Sequence, residues 1–282
     1  MPVSATTART ARSGYRVSRR SLERLYRFYD RLDMVHPDPL EFLYRYDDPA
    51  EREIVGLVAS ALAFGNVAHI LRSAEEILGR MGPPMKFLCD ASPCEMIRTF
   101  SGFRHRMTTG ENMAALLSGA RRVIKRYGSL RDCFLSNLKR DHADVMPALV
   151  GFVAELDSAA RGQCGNLLAD PTRGSACKRL HLLLRWLVRH DNVDPGGWEA
   201  VGQHRLLVPI DTHMLRLCRA LRLTRRRQAD LRTAREITLA FRRFSPDDPV
   251  KYDFALSRIG IRKDTELSHF FARSRYAEAN EG

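Results

Sequence analysis

Apolar residues recur with the three- and four-residue steps of a helix face along most of this 282-residue chain. In residues 112–127, for example, the apolar positions keep to one such face until Gly128 ends the run. The same criterion predicts helices over residues 22–32, 51–64, 67–78, 112–127, 146–156, 178–188, 212–223, 230–244 and 249–259. The sequence holds no convincing alternation with a period of two and no Asn-Gly or Asp-Gly hairpin turn. It therefore predicts an all-α protein.

The composition predicts a folded chain without a membrane segment. Hydrophobic residues make up 44% and charged residues 28% of the chain, a balance typical of soluble globular proteins. The longest apolar stretches, such as residues 54–64, are interrupted by Gly56 and Ser60 and fall short of the roughly 18 residues that a spanning helix needs. Six cysteines are scattered without a C-x-x-C pair, so we expect reduced, mostly buried thiols rather than disulfides or a zinc site.

The chain carries a net charge of +13, from 46 basic and 33 acidic residues. Residues 1–20 contain five arginines and no acid, and they lack the apolar core of a secretory signal, which predicts a flexible basic arm in a cytoplasmic protein. The rest of the chain is still basic, which favours a polyanionic partner and nucleic acid first. Genome composition is the alternative source of this charge, since only six of the 46 basic residues are lysines.

The most informative segment is residues 206–227, LLVPIDTHMLRLCRALRLTRRR. Asp211 stands at a predicted helix start, where its side chain can accept a hydrogen bond from a first-turn N–H. Six arginines and no acid follow, and Arg216, Arg219 and Arg222 keep a three-residue spacing. This pattern predicts a carboxylate beside a surface suited to phosphates. The alternative is a plain helix cap next to a solvated arginine face, which is the commoner arrangement.

Lys178 lies 33 positions before Asp211, in the first turn of the predicted helix 178–188 and after a turn at Gly174. A lysine near a helix N-terminus and beside Arg179 is exposed to positive potential, which favours the neutral, nucleophilic amine. The alternative is an ordinary exposed lysine, because most lysines lie on the surface.

Residues 208–213, VPIDTH, and the MLRLCRALRL that follows resemble the V-D-T-H-x-R-x-R-L segment of the helix-hairpin-helix DNA glycosylase superfamily, the group of endonuclease III and 8-oxoguanine glycosylase. The resemblance implies that Asp211 is the catalytic carboxylate and that Lys178 is the nucleophile of a bifunctional enzyme. The usual L-P-G-V-G-x-K hairpin is absent, and residues 172–178 read TRGSACK instead. The long spacing between Lys178 and Asp211 resembles that of the archaeal 8-oxoguanine glycosylase branch.

Other segments resemble the same superfamily. Residues 54–68 are similar to its early helix and turn, residues 102–104 to its G-x-R segment, and residues 248–261 to its final helix. The chain also resembles a bacterial protein family of unassigned function that shares the segments GSACKRL, PxDTH and DPVKYDFALxxxGI. The resemblance to the glycosylase superfamily implies that Asn66 faces a flipped base.

We expect two sets of binding residues on this basis. The substrate-binding set is Phe64, Asn66, Trp198 and His213. The DNA-binding set is Arg179, Arg216, Arg219, Arg222, Arg225 and Arg226. For Trp198, stacking on a base and packing between helices are both open, and buried packing is the commoner role of tryptophan.

The resemblance implies a two-lobed helical fold with a cleft that holds Lys178 and Asp211. We expect residues 21–50 together with 205–282 to form one lobe, and residues 51–204 to form a central bundle with the hairpin-like element. No metal site is expected, because His181 and His190 are nine positions apart and do not share a helix face cleanly. No iron–sulfur cluster and no other cofactor is expected either, because the four-cysteine loop of endonuclease III is missing.

The function implied is that of a DNA repair glycosylase in base excision repair, with or without AP-lyase activity. Such an enzyme removes a damaged base, with oxidised purines favoured, after extruding it from double-stranded DNA. We expect a monomer associated with the nucleoid in the cytoplasm. The alternative is a non-catalytic nucleic-acid-binding helical protein of the same fold, and the distance between Lys178 and Asp211 discriminates between the two. An enzyme acting on RNA is a third alternative, disfavoured because the clustered aromatic residues of RNA-binding modules are absent.

Overall fold

The computed structural model describes residues 14–261 and 267–274, most of which are helical. The helices are α1 Arg19–Tyr29, α2 Pro49–Leu62, α3 Val67–Met81, α4 Pro84–Asp90, α5 Pro93–Thr99, α6 Gly110–Tyr127, α7 Leu130–Ser136, α8 Met146–Ala159, α9 Lys178–Val188, α10 Thr212–Ala220, α11 Leu231–Arg242, α12 Asp253–Ile261 and α13 Leu267–Phe270. Shorter 3-10 helices cover Leu32–Met34, Pro39–Arg45, Gly165–Leu167, Pro171–Arg173, Glu199–Val201 and Gln203–Arg205. The predicted all-α class is confirmed.

The described residues contain two short antiparallel strand pairs. Strand β1 Gly14–Arg16 pairs with β4 Ala272–Ser274, and β2 Arg104–His105 pairs with β3 Thr108–Thr109. Residues 1–13 of the predicted basic arm lie outside the described residues. Residues 14–20 correct the arm's boundary, because backbone pairing with β4 and the start of α1 place them in regular structure.

Capping residues explain where the predicted helix boundaries are accurate and where they shift. Helix α9 spans the predicted residues, and α3 begins where predicted because the Asn66 side chain accepts a hydrogen bond from the Ala68 N–H. Helix α6 begins two residues early, since Thr109 and Asn112 form a capping box. The sequence analysis missed α4, α5 and α7, which have seven residues each and are too short to show a helical period.

Helix α2 lies at the centre of the core. Every residue from Glu53 to Leu62 is buried, because the helix packs against α3, α4, α9 and the Pro39–Arg45 3-10 helix. The one charged group of this run, the Glu53 carboxylate, accepts hydrogen bonds from the Trp198 indole at 2.9 Å and from the Leu130 N–H at 2.8 Å. Burial raises the pKa of Glu53, and these two donors satisfy its oxygens.

The two ends of the described chain pack together through α1 and α12. The Tyr26 and Tyr252 rings meet edge to face at 6.5 Å, and Lys251 bonds Glu23 at 2.9 Å. Helix α12 also contacts α10. The division into the lobes 21–50 with 205–282 and 51–204 stays a prediction. Within the described ranges, no helix combines the length and the apolar character that crossing a membrane requires.

Helix α9 is fixed in the interior by two buried arginines. Arg185 bonds Asp194 through Nε at 3.2 Å and Asp253 of α12 through Nη1 at 2.6 Å. Arg189 bonds Asp248 through Nε at 3.0 Å and also bonds Asp194. Because both cations are almost completely buried, removing a carboxylate would leave an uncompensated charge in the interior. The orientation of α9 is therefore tied to α12 and to the loop that follows α9.

His181 of α9 makes stability depend on pH. Its ring is 1% exposed, and neither nitrogen has a hydrogen-bond partner among the described residues. Burial lowers the pKa of His181 from 6.5 to about 4. The unfolded chain therefore takes up this proton as the pH falls below 6.5, whereas the folded protein takes it up only near pH 4.

We predict that the free energy of unfolding falls by on the order of 3 kcal/mol between pH 6.5 and 4 through His181 alone. Urea unfolding at several pH values measures this slope. His181→Leu should flatten the slope, while His69→Leu, the same change at an exposed ring, should leave it unchanged. Equal slopes for the three proteins would contradict the assignment.

Candidate active site

The structure brings Lys178 and Asp211 together although 33 residues separate them. Lys178 is the first residue of α9 and follows Cys177, whose φ of +42° turns the chain into the helix. Asp211 is the N-cap of α10, and its Oδ1 accepts a hydrogen bond from the Met214 N–H at 2.8 Å. Its other oxygen, Oδ2, lies 2.5 Å from Lys178 Nζ. One carboxylate thus caps a helix and binds an amine at once.

The two side chains form an ion pair that solvent still reaches, since each is 35% exposed. Burial alone would raise the pKa of Asp211, but the Lys178 ammonium and the Met214 N–H hold the pKa below its ordinary value. Asp211 is therefore a carboxylate at neutral pH. Proton transfer between Nζ and Oδ2 needs no rearrangement, because the two atoms are already within hydrogen-bond distance.

The pair lines a cavity of about 400 Å³, a size suited to a small planar ligand. Five parts of the chain meet around it: the turn before α3, α9, the start of α10, α12 and the segment before the Pro39–Arg45 helix. Its lining residues are Pro37, Asp38, Pro39, Ala63, Gly65, Asn66, Val67, Ile70, Lys178, Leu182, Arg185, Pro209, Asp211, His213, Met214, Asp253 and Ser257. The walls are mostly apolar, and the charged residues among them are Asp38, Lys178, Arg185, Asp211 and Asp253.

Two buried polar atoms of this lining have no hydrogen-bond partner among the described residues, Arg185 Nη2 and His213 Nε2. A buried polar atom without a partner is unfavourable unless a ligand or water satisfies it. Of the predicted substrate-binding residues, His213 and Asn66 border the cavity. Asn66 also caps α3 through its Oδ1.

Two predicted substrate-binding residues lie elsewhere. Trp198 is 1% exposed and packs between Phe134 and Phe152 in the core, so the prediction that a base stacks on it is wrong. Phe64 does not line the cavity, because its ring packs against the Arg179 guanidinium at 4.8 Å and against His105. Both aromatic rings contribute to packing rather than to the cavity wall.

Some of the predicted DNA-binding arginines are exposed, and others bond groups within the fold. Arg216 and Arg219 are exposed on α10, and Arg222, Arg225 and the neighbouring Arg227 are exposed in the loop that follows. Together these five form what we call the arginine surface.

Arg179 is a correction to the DNA-binding set. Both of its Nη atoms donate to backbone carbonyls, to that of Ala61 at 2.6 Å and to that of Asn166, so it stabilises the fold. Arg226 bonds Asp230 at 2.8 Å and Thr233 at 2.7 Å, but its side chain is 34% exposed. Its place in the DNA-binding set stays a prediction.

Arg185 and Asp253 border the cavity but were not predicted as site residues. The Asp253 carboxylate is 3% exposed and bonded to Arg185. One signal in the sequence could have revealed them. Arginines occur within the apolar helix 178–188, and a buried arginine needs a carboxylate partner.

The described residues contain no group of three or more His, Cys, Asp or Glu side chains arranged to hold a metal ion. All six cysteines lie in the described part of the chain and are unpaired, and four are buried. The prediction that most of the thiols are buried is confirmed.

These observations define the class of the molecule as an all-α protein with a lysine–aspartate pair in a cavity. A sequence model of the family described as "Protein of unknown function (DUF2400)" matches residues 38–262, a region that includes Lys178 and Asp211. The chain belongs to this family. No curated protein and no solved structure matches the chain.

The double role of Asp211 generates a prediction about stability. Asp211→Asn keeps an oxygen to cap α10 and loses only a partly exposed ion pair, so we expect a loss of about 1 kcal/mol or less. Asp211→Ala also removes the cap and should cost about 1 kcal/mol more. Urea denaturation of the three proteins measures both differences. Equal stability of the Asn and Ala variants would show that the cap does not stabilise α10.

Proposed function

We propose that this protein is a DNA repair glycosylase that uses Lys178 as a nucleophile and therefore also acts as an AP lyase. The observation that carries the proposal is the 2.5 Å contact between Lys178 Nζ and Asp211 Oδ2 at a cavity that can hold a base. Of the alternatives, a non-catalytic nucleic-acid-binding protein has no use for a solvent-accessible amine paired with a carboxylate in a cavity. The resemblance of residues 208–213 to the helix-hairpin-helix glycosylases supports the same proposal.

The chemistry follows from the two groups. Asp211 accepts a proton from the Lys178 ammonium, and the neutral amine attacks C1′ of the extruded nucleotide. The C1′–N bond breaks, its electron pair goes to the base, and the proton on Asp211 passes to the base as it leaves. A proton then moves from the lysine nitrogen to O4′ while the sugar ring opens, which gives a protonated Schiff base at C1′. Loss of a C2′ proton expels the 3′-phosphate and cuts the strand.

Once it has passed its proton to the base, Asp211 is ionised again and stabilises the positive charge of the Schiff base that forms at the sugar. The lowered pKa of Asp211 favours this role, because the carboxyl group gives up its proton readily. The apolar walls of the cavity exclude water and strengthen the electrostatic interaction at the reacting atoms.

The arginine surface begins on α10, the helix that Asp211 caps. Phosphates of double-stranded DNA bound there would lie next to the site of reaction. Oxidised purines are the proposed substrates on the strength of the resemblance alone. We also propose that the protein is a monomer and that it acts on the nucleoid in the cytoplasm.

Borohydride trapping tests the nucleophile. The protein is incubated with duplexes that carry an abasic site, 8-oxoguanine or another damaged base, and borohydride reduces any Schiff base to a stable adduct. We expect the wild type to form an adduct and Lys178→Gln to form none while still binding DNA, because the glutamine amide cannot form an imine. Lys125→Gln, at an exposed lysine of α6, is the matched control and should trap normally. An adduct with the Lys178→Gln variant would assign the chemistry to another lysine, and binding without any adduct would favour the non-catalytic alternative.

The arginine surface predicts how DNA affinity depends on salt. Each phosphate contact contributes a log–log slope of about −0.9, because a bound cation releases a condensed counterion. Arg216→Gln or Arg219→Gln should therefore weaken duplex binding and make the slope shallower by about 0.9. Arg98→Gln, at an exposed arginine of α5, should change neither. Salt-independent binding, or slopes unaffected at Arg216 and Arg219, would remove the arginine surface from the interface.

A further inference from the structure

The outer face of α1 carries a row of arginines. Arg20, Arg24 and Arg27 follow the spacing of one helix face, four and then three residues apart, and all three are exposed. The opposite face of the same helix is apolar, with Leu22 and Leu25 at 0% exposure. The helix is therefore fixed to the core by one face and presents a cationic face to solvent.

This cationic face forms one side of a groove of about 990 Å³, which we call the α1 groove. Strand β1, helix α13 and strand β4 contribute its other sides. Five exposed arginines line it: Arg16, Arg19, Arg20, Arg24 and Arg27. Arg24 Nη2 donates to the carbonyls of His269 and Phe270, at 2.8 Å each, which ties α1 to α13. The groove is therefore a built feature of the fold and not a set of loose side chains.

The positive charge of the α1 groove is not balanced within it. The acidic residue of its lining, Glu23, bonds Lys251 at 2.9 Å and accepts a hydrogen bond from the Tyr252 hydroxyl at 2.7 Å, so residues outside the lining compensate its charge. Arg20 and Arg27 have no ion pair and no hydrogen bond to another described residue. The sequence contains no acid before Glu23. A concave surface of one sign attracts an anion from another molecule.

The spacing of the arginines fits a row of phosphates better than a single anion. Arg20 and Arg27 lie seven positions apart, which is about 10 Å along a helix axis. One strand of B-DNA advances by about 3.4 Å for each phosphate, so this distance corresponds to about three nucleotides. The guanidinium group also matches phosphate geometry, because two of its N–H donors can bind two phosphate oxygens at once.

Two other sources of phosphate fit the α1 groove less well. A helix that binds a lipid surface inserts an apolar face into it, whereas the apolar face of α1 is buried in the core. Grooves for single-stranded nucleic acid offer exposed aromatic rings on which bases stack. The aromatic residue of this lining, Phe270, is 2% exposed. The groove therefore suits the outside of a duplex, where the phosphates are accessible and the bases are not.

The α1 groove and the arginine surface can reach one duplex. Helix α12 packs against both α1 and α10. Since the axes of packed helices are about 8–10 Å apart, the two basic surfaces are separated by on the order of 20 Å. That distance corresponds to about six base pairs.

We infer that the α1 groove binds the phosphate backbone of duplex DNA on the flank of the reaction site, about six base pairs from the nucleotides at the arginine surface. The inference rests on the proposed function for the identity of the polyanion and for the position of the reacting nucleotide. The arginines of the groove would add affinity and take no part in the chemistry.

The test measures affinity against salt concentration for duplexes that contain tetrahydrofuran, a stable abasic-site analogue, with flanks of about four or about twelve base pairs on each side. On the long duplex, Arg20→Gln/Arg27→Gln should make the log–log slope shallower by about 1.8, because two phosphate contacts are lost. On the short duplex, which ends before the α1 groove, its slope should equal that of the wild type. Arg20→Lys/Arg27→Lys keeps the charge and should keep the slope. Arg98→Gln/Lys125→Gln removes the same charge from α5 and α6 and is the matched control.

Three results would overturn the inference. The first is an equal slope for the wild type and Arg20→Gln/Arg27→Gln on the long duplex. The second is an equal loss in the control variant or on the short duplex, since binding would then follow net charge or contacts near the lesion. The third is a defect of Arg20→Gln/Arg27→Gln confined to vesicles of phosphatidylglycerol, which would assign the groove to a lipid surface.

Borohydride trapping separates this inference from the proposed function. At low salt and saturating protein, Arg20→Gln/Arg27→Gln should trap abasic DNA as well as the wild type does. Normal trapping together with unchanged slopes would reject the α1 groove and leave Lys178 as the nucleophile. A slope that depends on Arg20 and Arg27 in a protein that traps no abasic DNA would support the groove and reject the proposed chemistry.

Discussion

Arg185 of α9 and Arg189, which follows the last residue of this helix, are held in the interior by carboxylates from three other parts of the chain. Arg185 and Arg189 pair with Asp194 in the loop after α9, with Asp248 before α12 and with Asp253 in α12. Buried ion pairs add little net stability, but they penalise any arrangement that leaves a charge unpaired. This network therefore acts chiefly on geometry, since it fixes the direction in which α9 runs and the place where its N-terminus emerges.

The candidate active site depends on that geometry. Helix α12 contacts α10, so the carboxylates that hold Arg185 and Arg189 also link α9 to the helix that Asp211 caps. Lys178 stands at the free end of α9 and meets Asp211 without being buried. Lys178 is positioned by the buried end of the helix and keeps solvent access at the other end, as its proposed role of nucleophile requires.

The sequence predicts the helices and the proximity of Lys178 and Asp211 better than it predicts the partners of individual side chains. Helix α9 has the predicted bounds because its apolar period runs without interruption between a turn and a polar loop. Lys178 and Asp211 are identified by a resemblance that spans both. Trp198 and Arg179 were misassigned because their partners, Glu53 for the indole and Ala61 for the guanidinium, are distant in the chain. Local patterns carry no information on such contacts.

The central claim is that Asp211 takes part in chemistry as well as capping a helix. The most direct measurement is single-turnover base release by Asp211→Asn on the duplex that the wild type processes fastest, at saturating protein and beside a DNA-binding assay. We expect a folded variant with near-normal affinity and a rate lower by on the order of a hundredfold, because the asparagine retains the cap but neither accepts the Lys178 proton nor stabilises positive charge. Release at the wild-type rate would contradict a chemical role and leave Asp211 as a helix cap alone.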